Sequence, residues 1–101
     1  MAYKIITKKT LNPQIFLMEV EAPLIAAKAE PGQFIILRID EHGERVPFTI
    51  ADFDREKGTV TIIVQIVGKT TRDLAKIEQG EYLLDFAGPL GMPTQLEGKK
   101  K

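Results

Sequence analysis

Apolar and polar residues alternate with a period of two along most of this chain, and that period is typical of half-buried β-strands. The stretch IFLMEVEA is the clearest case, because Phe16, Met18 and Val20 alternate with more polar neighbours. The pattern predicts strands in YKIITKK (3–9), IFLMEVEA (15–22), QFIILRID (33–40), TVTIIVQIV (59–67) and EYLLDFAG (81–88). The stretch GERVPFTIADFD (43–54) looks like the entry to another strand. In EYLLDFAG, Tyr82, Leu84 and Phe86 are predicted to share one face.

Turn signals separate these stretches. They are NP at 12–13, PG at 31–32, EHGE at 41–44 and DREKG at 54–58. Short strands joined by tight turns are typical of an antiparallel sandwich or barrel. His42, the single histidine, is interpreted as a solvated residue of the EHGE turn. The stretch APLIAAKAEPGQ (22–33) allows one helical turn.

The segment TTRDLAKIEQG has a helical pattern instead. Leu74 and Ile77 have helical spacing, and Gly80 follows where the end of a helix favours a left-handed residue. The sequence therefore predicts a short helix near residues 71–78 that plugs one end of the barrel with its apolar side chains.

Composition indicates a soluble globular domain. The 101 residues are 44% hydrophobic and 28% charged, which suits one modest core. Basic and acidic residues balance at 14 each, so charge favours neither nucleic acid nor an anionic membrane as a partner. The sequence contains no cysteine, which excludes disulfides and thiolate or iron–sulfur ligation by these residues. It has no apolar run of membrane-helix length and no signal-peptide pattern, so we expect a cytoplasmic location.

The stretch RVPFT, residues 45–49, is unusual for a strand because proline cannot donate a hydrogen bond to a ladder. A bend or bulge at Pro47 would turn Phe48 and Thr49, which otherwise point to opposite faces, toward one ligand. The alternative is a plain edge strand, with Phe48 in the core and Thr49 present for its β-propensity.

The stretch VGKTT, residues 67–71, joins a strand end to a helix start. Gly68 allows close backbone approach, and the free N–H groups of a helix N-terminus favour an anion such as phosphate. Thr70 and Thr71 add hydroxyl donors, and Thr70 with Asp73 has the spacing of a capping box. The alternative is a helix cap that binds no ligand. The glycine spacing excludes a Walker loop.

The stretch GPLG, residues 88–91, predicts a stiff turn with exposed backbone, or simply the end of the last strand. Asp52 and Asp54 are interpreted as turn residues. The sequence shows no catalytic triad, carboxylate pair or cluster with metal-ligand spacing, so we predict neither a catalytic side chain nor a metal site.

In their order along the chain, PGQF, RVPFTIA, VGKTT and GPLG resemble the flavin-binding domain of the ferredoxin–NADP reductase superfamily. The resemblance extends in particular to the electron-transfer subunits of dihydroorotate dehydrogenase, sulfide dehydrogenase and NADH-dependent reduced ferredoxin:NADP oxidoreductase. It covers about Tyr3 to Thr94. It implies an all-β, six-stranded antiparallel Greek-key barrel with one capping helix, and FAD rather than FMN as the cofactor.

The resemblance also assigns flavin contacts. It implies that Phe48 packs on the isoalloxazine ring and that Thr49 donates near the N5 and O4 edge of the ring. The pyrophosphate contacts that it implies are Gly68, Thr70 and Thr71. It places Ile66 and Val67 along the ribityl or adenosine portion of the cofactor. It places Gly88 at the turn that leaves the barrel beside the flavin.

One position departs from the family pattern. The family arginine lies two positions before the aromatic residue, where this chain has Val46. Arg45 lies one step earlier and starts from the opposite face of a regular strand. Lys69 and the helix start are therefore expected to take more of the phosphate contact. Arg45, Pro47 and Lys69 are also counted among the predicted cofactor-binding residues.

The family continues into a nucleotide-binding α/β domain, often followed by cysteines for an iron–sulfur cluster, and neither is in this sequence. We expect residues 1–94 to form the flavin barrel and residues 95–101 to be a charged tail or a truncated link. The predicted function is FAD binding in a flavin-dependent electron-transfer oxidoreductase. In the intact protein the implied partners are an NAD(P)H domain and an iron–sulfur or larger redox subunit. The barrel alone is expected to oxidise little NAD(P)H.

Two alternatives remain open. One is a non-enzymatic interaction barrel, because a fold does not define a function. The other is an engineered or excised barrel that holds no cofactor. In any truncated form, surface that met a missing domain would favour self-association.

Overall fold

The computed structural model of the chain describes residues 2–91, which contain seven β-strands and two short helices. In chain order the elements are β1 (Tyr3–Asn12), β2 (Ile15–Glu21), α1 (Pro23–Lys28), β3 (Phe34–Arg38), β4 (Val46–Asp54), β5 (Thr59–Gln65), α2 (Lys69–Ala75), β6 (Tyr82–Leu83) and β7 (Asp85–Leu90). The all-β class is confirmed, with seven strands instead of six. The helical turn allowed by APLIAAKAEPGQ is present as α1. The predicted boundary at residue 94 and the tail at 95–101 lie outside the described residues.

The strands form one antiparallel sheet in the order β6-β1-β2-β5-β4-β3-β7. β3, β4 and β5 are successive antiparallel neighbours, and β2, which reaches β3 through the longer connection containing α1, lies beside β5. This is a Greek-key arrangement. β6 and β7 are at opposite ends of the order yet follow each other in sequence, so the chain itself closes the sheet into a barrel.

The seventh strand arises because the stretch EYLLDFAG divides at Leu84. β6 pairs with β1 whereas β7 pairs with β3, and the Leu84 amide donates to two carbonyls at the end of β3, each at 3.1 Å. The predicted common face of Tyr82, Leu84 and Phe86 is wrong, because Leu83 and Phe86 are buried and Tyr82 is 56% exposed. The break changes which of the alternating positions point inward.

The inward faces of the strands form one hydrophobic core. Phe16, Met18 and Val20 are buried, as the alternation predicts. Leu74 of α2 is fully buried at one end of the barrel, and Ile77, just beyond the helix, packs against the same core. The predicted plug is therefore confirmed.

The bounds of α2 differ from the predicted helix, starting two residues earlier and ending three residues earlier. Gly68 is the N-cap, so the capping box assigned to Thr70 and Asp73 is wrong. Gly80 has the predicted left-handed conformation, with φ 95°, but its amide donates to a carbonyl of β1 at 2.8 Å. Gly80 therefore connects the segment after α2 to strand β1, and it does not end the helix. Neither helix in the described part of the chain is long and apolar enough to cross a membrane.

Candidate functional site

β4 changes its pairing partner halfway along its length. Val46 to Thr49 pair with β3, whereas Ile50 to Asp54 pair with β5. A register shift between Ile50 and Asp52 marks a bulge at the change, further along than the proline where the sequence predicted it. The first half of β4 therefore leaves β5, and a split opens between the two strands.

The phase of the hydrogen bonds decides which backbone groups of β4 face this split. Successive residues of a strand direct their N–H and C=O groups to opposite sides. The Ile50 amide donates to the Gln33 carbonyl at 2.9 Å, on the β3 side, so the backbone groups of Pro47 and Thr49 point toward the split. The proline is tolerated because the β3 ladder requires no donor from it.

The end of β5 forms the facing wall. The Ile66 amide donates to the Gln14 carbonyl at 2.8 Å, on the β2 side. By the same alternation, the backbone groups of Ile63 and Gln65 point toward the split. Both walls therefore direct main-chain polar groups into the same space.

A groove of about 500 Å³ occupies the split, and we call it the β4–β5 groove. The predicted site residues that line it are Pro47, Phe48, Thr49, Val67 and Thr71. The lining residues that were not among the predicted site residues are Val46, Ala51, Ile63 and Gln65. Period-two patterns show which side chains point outward, but they do not show which of these border a split between strands.

Phe48 contributes to both the core and the groove. Its half-buried side chain packs against the hydrophobic core and also lines the groove. The two interpretations that the sequence left open are therefore compatible. Thr49 is exposed, and it pairs across the ladder with Phe34. Phe34, which sequence reasoning missed, joins Pro47, Phe48 and Thr49 around a second hollow of about 380 Å³.

The Thr71 hydroxyl orders the loop at the open end of the groove. It accepts hydrogen bonds from the amides of Val67 and Gly68, each at 2.9 Å, and it donates to the Gly68 carbonyl at 3.1 Å. Thr71 is only 8% exposed. The hydroxyl proton is thus used inside the loop, and direct donation to a phosphate would require it to leave the Gly68 carbonyl.

The other residues of this loop differ in their surroundings. Val67 is 71% exposed at the groove, whereas Ile66 is half-buried and packs on the core. Gly68 has an extended backbone, with φ −162°, and a Cβ added there would meet nothing within 4 Å. Within the described chain, neither backbone conformation nor packing requires glycine at this position.

Lys69 and Thr70 line a separate hollow of about 510 Å³ between α2 and the loop that precedes β4. The Lys69 ammonium lies 2.9 Å from the Asp73 carboxylate, and the Thr70 hydroxyl donates to Glu44 at 3.4 Å. The hydrogen bond between Lys69 and Asp73 raises the pKa of the lysine and lowers the pKa of the aspartate. These two predicted phosphate contacts therefore have acidic partners outside the β4–β5 groove.

Arg45 and Gly88 also lie outside the β4–β5 groove. The Arg45 guanidinium is 3.4 Å from the Asp85 carboxylate, which Arg38 contacts at 3.0 Å. Gly88 has φ 150°, and a Cβ there would lie 3.0 Å from Cγ2 of Ile35. Glycine at this position is therefore explained by the close packing of β7 on β3.

The family model of the oxidoreductase FAD-binding domain matches residues 3–94. An uncharacterised protein in the adh 3′ region of Clostridium beijerinckii is 57% identical over 93 residues, which cover 92% of this chain and 31% of that protein. The dihydroorotate dehydrogenase B (NAD(+)) electron transfer subunit homolog of Thermotoga maritima is 38% identical, with 93% of this chain and 33% of that protein covered. The chain thus spans about a third of the length of these relatives.

Solved structures show the same fold. The structure of NADH-dependent reduced ferredoxin-NADP oxidoreductase, determined for insight into flavin-based electron bifurcation, matches with a TM-score of 0.91 and 37% identity. The match covers 94% of this chain and 34% of that one. The cytochrome b5 reductase domain of Ulva prolifera nitrate reductase matches with a TM-score of 0.72 and 16% identity, over 89% of this chain and 39% of that one. The second likeness concerns the fold alone.

Proposed function

Because this chain belongs to the oxidoreductase FAD-binding domain family, we propose that it holds FAD along the β4–β5 groove, as the flavin-binding part of a larger NAD(P)H-linked electron-transfer protein. One observation carries the proposal. Residues 46–49 of RVPFT line the same groove as Val67 and Thr71 of VGKTT, although the two stretches are far apart in the sequence. A ligand in that groove would contact both stretches.

The closed end of the groove fits a flat ring with a polar edge. Ile50 pairs with Ile62, so Thr49 and Ile63 face each other where the strands begin to part. Their main-chain donors and acceptors suit the N–H and carbonyl groups along one edge of an isoalloxazine ring. The side chains of Phe48 and Ile63 suit its apolar faces. We assign the amide and hydroxyl of Thr49 to the polar edge of the flavin.

The open end of the groove suits phosphate groups. The loop ordered by Thr71 leads into α2, whose first N–H groups and dipole favour an anion. Gly68 leaves open space beside this loop. Lys69 and Thr70 belong to the same turn, and each would exchange its acidic partner for a phosphate oxygen. Arg45 would have to leave Asp85 to take part.

FAD is favoured over FMN because the loop and the helix start extend the site beyond the groove that fits the ring. When bound, the flavin supplies the redox chemistry, since it accepts electrons in pairs and releases them singly. The chain's own residues bind the flavin, orient it and exclude water from part of its surface.

The remaining parts of the electron-transfer protein belong to other domains or subunits in this proposal. The relatives are about three times as long as this chain, and one is named an electron transfer subunit homolog. We therefore assign NAD(P)H to a separate domain and the departing electrons to an iron–sulfur or larger redox subunit. Residues 1–101 by themselves should oxidise little NAD(P)H.

A visible-absorption titration of the purified chain with FAD and FMN tests the proposal. Binding should change the flavin spectrum, with a lower dissociation constant for FAD. Thr49→Val should weaken binding, whereas Thr10→Val, at an exposed threonine of β1, should not. A chain that is folded by circular dichroism yet leaves both flavin spectra unchanged would contradict the proposal and favour an interaction barrel.

A further inference from the structure

Lys8 occupies a core-facing position of β1, where a charged side chain is unusual. In the β1–β2 ladder Lys8 pairs with Met18, which is fully buried, whereas Lys9 pairs with Leu17 and is exposed. The Lys8 side chain is half-buried, and it does not line the β4–β5 groove. Because removing an ammonium group from water is costly without polar partners, the contacts of Lys8 need an explanation.

The partners of Lys8 lie at the C-terminal end of α2. Its ammonium donates to the carbonyls of Ala75 and Ile77, the latter at 2.9 Å, and lies 5.1 Å from the centre of the Phe16 ring. The Lys8 amide donates to the Gln79 side chain at 3.1 Å. The last carbonyls of a helix have no partner within the helix and carry the negative end of its dipole, so a lysine suits them.

This contact holds the end of α2 that is remote from the groove. The helix has seven residues, about two turns, and a helix of that length depends on tertiary contacts for its stability. Its buried side chains are Thr71 and Leu74. The Thr71 hydroxyl is used in the loop before the helix, and Leu74 is the apolar anchor in the core. Lys8 adds a second attachment, which prevents the helix from tilting about Leu74.

We propose that Lys8 is a positioning residue, which holds the C-terminal end of α2 and thereby fixes the loop at residues 67–71 beside the β4–β5 groove. Lys8 contacts no ligand itself. The loop leads directly into α2, so a tilt of the helix moves the loop relative to the strands that form the groove. The consequence for cofactor affinity rests on the proposed function, because this loop is the phosphate end of that site. A lysine that adds only global stability would instead affect all parts of the barrel alike.

Four variants of β1 isolate the role of the ammonium group. Lys8→Met keeps the apolar stem and removes the donors to α2, Lys8→Arg keeps donors, and Lys8→Gln keeps a shorter neutral donor. Lys9→Met, at the exposed neighbouring position, is the matched control. Thermal melting of each flavin-free chain reports its global stability. If Lys8→Met does not fold, Lys8→Gln replaces it, with a smaller effect expected in the same direction.

Amide hydrogen exchange of the flavin-free chains, followed by NMR, tests the positioning role without a ligand. In Lys8→Met the amides of Val67 and Gly68, which donate to the Thr71 hydroxyl, should exchange about three- to ten-fold faster, as for one weakened hydrogen bond. The Ile66 amide, which bonds toward β2, should accelerate less. Equal acceleration of all three amides, or unchanged rates for Val67 and Gly68, would overturn the inference.

Titration with FAD and with lumiflavin, which has the ring without the ribityl chain and phosphates, tests the consequence for the cofactor. Lys8→Met should bind FAD about three- to ten-fold more weakly and lumiflavin as tightly as the wild type. Lys8→Arg should recover most of the FAD affinity, and Lys9→Met should match the wild type. Unchanged FAD affinity, or an equal loss for lumiflavin, would overturn the link between Lys8 and the cofactor. If the wild type bound neither flavin, the proposed function would fail, while the exchange rates would still decide whether Lys8 positions the loop.

Discussion

The guanidinium of Arg45 lies 3.4 Å from the carboxylate of Asp85, toward β7 and not in the β4–β5 groove. Arg38 contacts the same carboxylate at 3.0 Å and pairs with Asp85 across the β3–β7 ladder. One acidic side chain thus holds two arginines on the outer face of the barrel. The arginine of the RVPFT stretch is therefore engaged outside the groove that the rest of that stretch lines.

Arg45→Ala should change FAD affinity by less than about two-fold, because an exposed ion pair contributes little and its removal leaves the groove intact. Absorption titration of the variant and the wild type measures this directly. Asp85→Asn is the matched control, since it removes the carboxylate and keeps both arginines. A ten-fold loss of FAD affinity in Arg45→Ala would assign the phosphate contact to Arg45.

Gly68→Ser should weaken FAD binding by about ten-fold, or about 1.4 kcal/mol, and leave the melting temperature of the flavin-free chain unchanged. Serine is a good N-cap residue, and the added Cβ meets nothing within 4 Å, so the fold tolerates the change. In the proposed site, the side chain would occupy the space assigned to a phosphate group. Gly88→Ser, which places a Cβ 3.0 Å from Ile35, should instead lower the melting temperature. If Gly68→Ser bound FAD as tightly as the wild type, a close approach of the FAD phosphates to this loop would be excluded.

Thr71→Val should destabilise the chain before any ligand is added. It removes the acceptor of the Val67 and Gly68 amides, and because these hydrogen bonds are only partly buried, each loss should cost about 0.5–1.5 kcal/mol. The melting temperature should fall by roughly 4–8 °C for each kcal/mol. Thr71→Ser keeps the hydroxyl and should retain most of the stability. An unchanged melting temperature with lost FAD affinity would show that the hydroxyl acts on the ligand.

Phe48→Ala should reduce both stability and flavin affinity, because the side chain packs on the core and lines the groove. Changing a fully buried phenylalanine to alanine lowers the free energy of unfolding by about 3–5 kcal/mol. Because Phe48 is half-buried, its replacement should lower the free energy of unfolding by about half as much. The loss of a stacking contact should weaken the binding of FAD by about 1–3 kcal/mol. Phe86→Ala, at a buried position outside the groove, provides the comparison for stability. Unchanged FAD affinity in Phe48→Ala would leave that residue with a core role only.

The pair Lys69 and Asp73 should give the stability of α2 a weak dependence on pH. The pKa of Asp73 is lowered by the Lys69 hydrogen bond, so its stabilisation is present above the ordinary aspartate pKa and is lost as pH falls through the lowered value. The pKa of Lys69 is raised, so its stabilisation is present below the ordinary lysine pKa and is lost as pH rises through the raised value.

An NMR titration of the Asp73 carboxyl checks this prediction. Lys69→Met should return the pKa of Asp73 toward its ordinary value, because the lysine hydrogen bond is the largest cause of the shift. Lys76→Met should have a smaller effect, since Lys76 acts only through its charge. A pKa of Asp73 that is the same in Lys69→Met and the wild type would contradict the ion pair.

The sequence by itself determined the local features of this protein. Phe16, Met18 and Val20 are buried because alternation along one strand already separates its two faces. Leu74 and Ile77, which the apolar pattern singled out, both pack on the core, although Ile77 lies just beyond the end of α2. The ordered set PGQF, RVPFTIA, VGKTT and GPLG was enough to identify the family, whose model matches residues 3–94.

The tertiary structure alone decided how these stretches meet. Leu84 divides one apolar run between two strands, and β4 exchanges β3 for β5 at Ile50. Gln65 becomes a groove residue only because β4 has left its side. Strand pairing joins residues that are distant in sequence. Alternation with a period of two predicts which face of a strand is buried, but it does not predict which strand lies beside it. For that reason the sequence pointed to Pro47, Phe48, Thr49, Val67 and Thr71, but it did not show that they line one groove or that Ile63 and Gln65 border it.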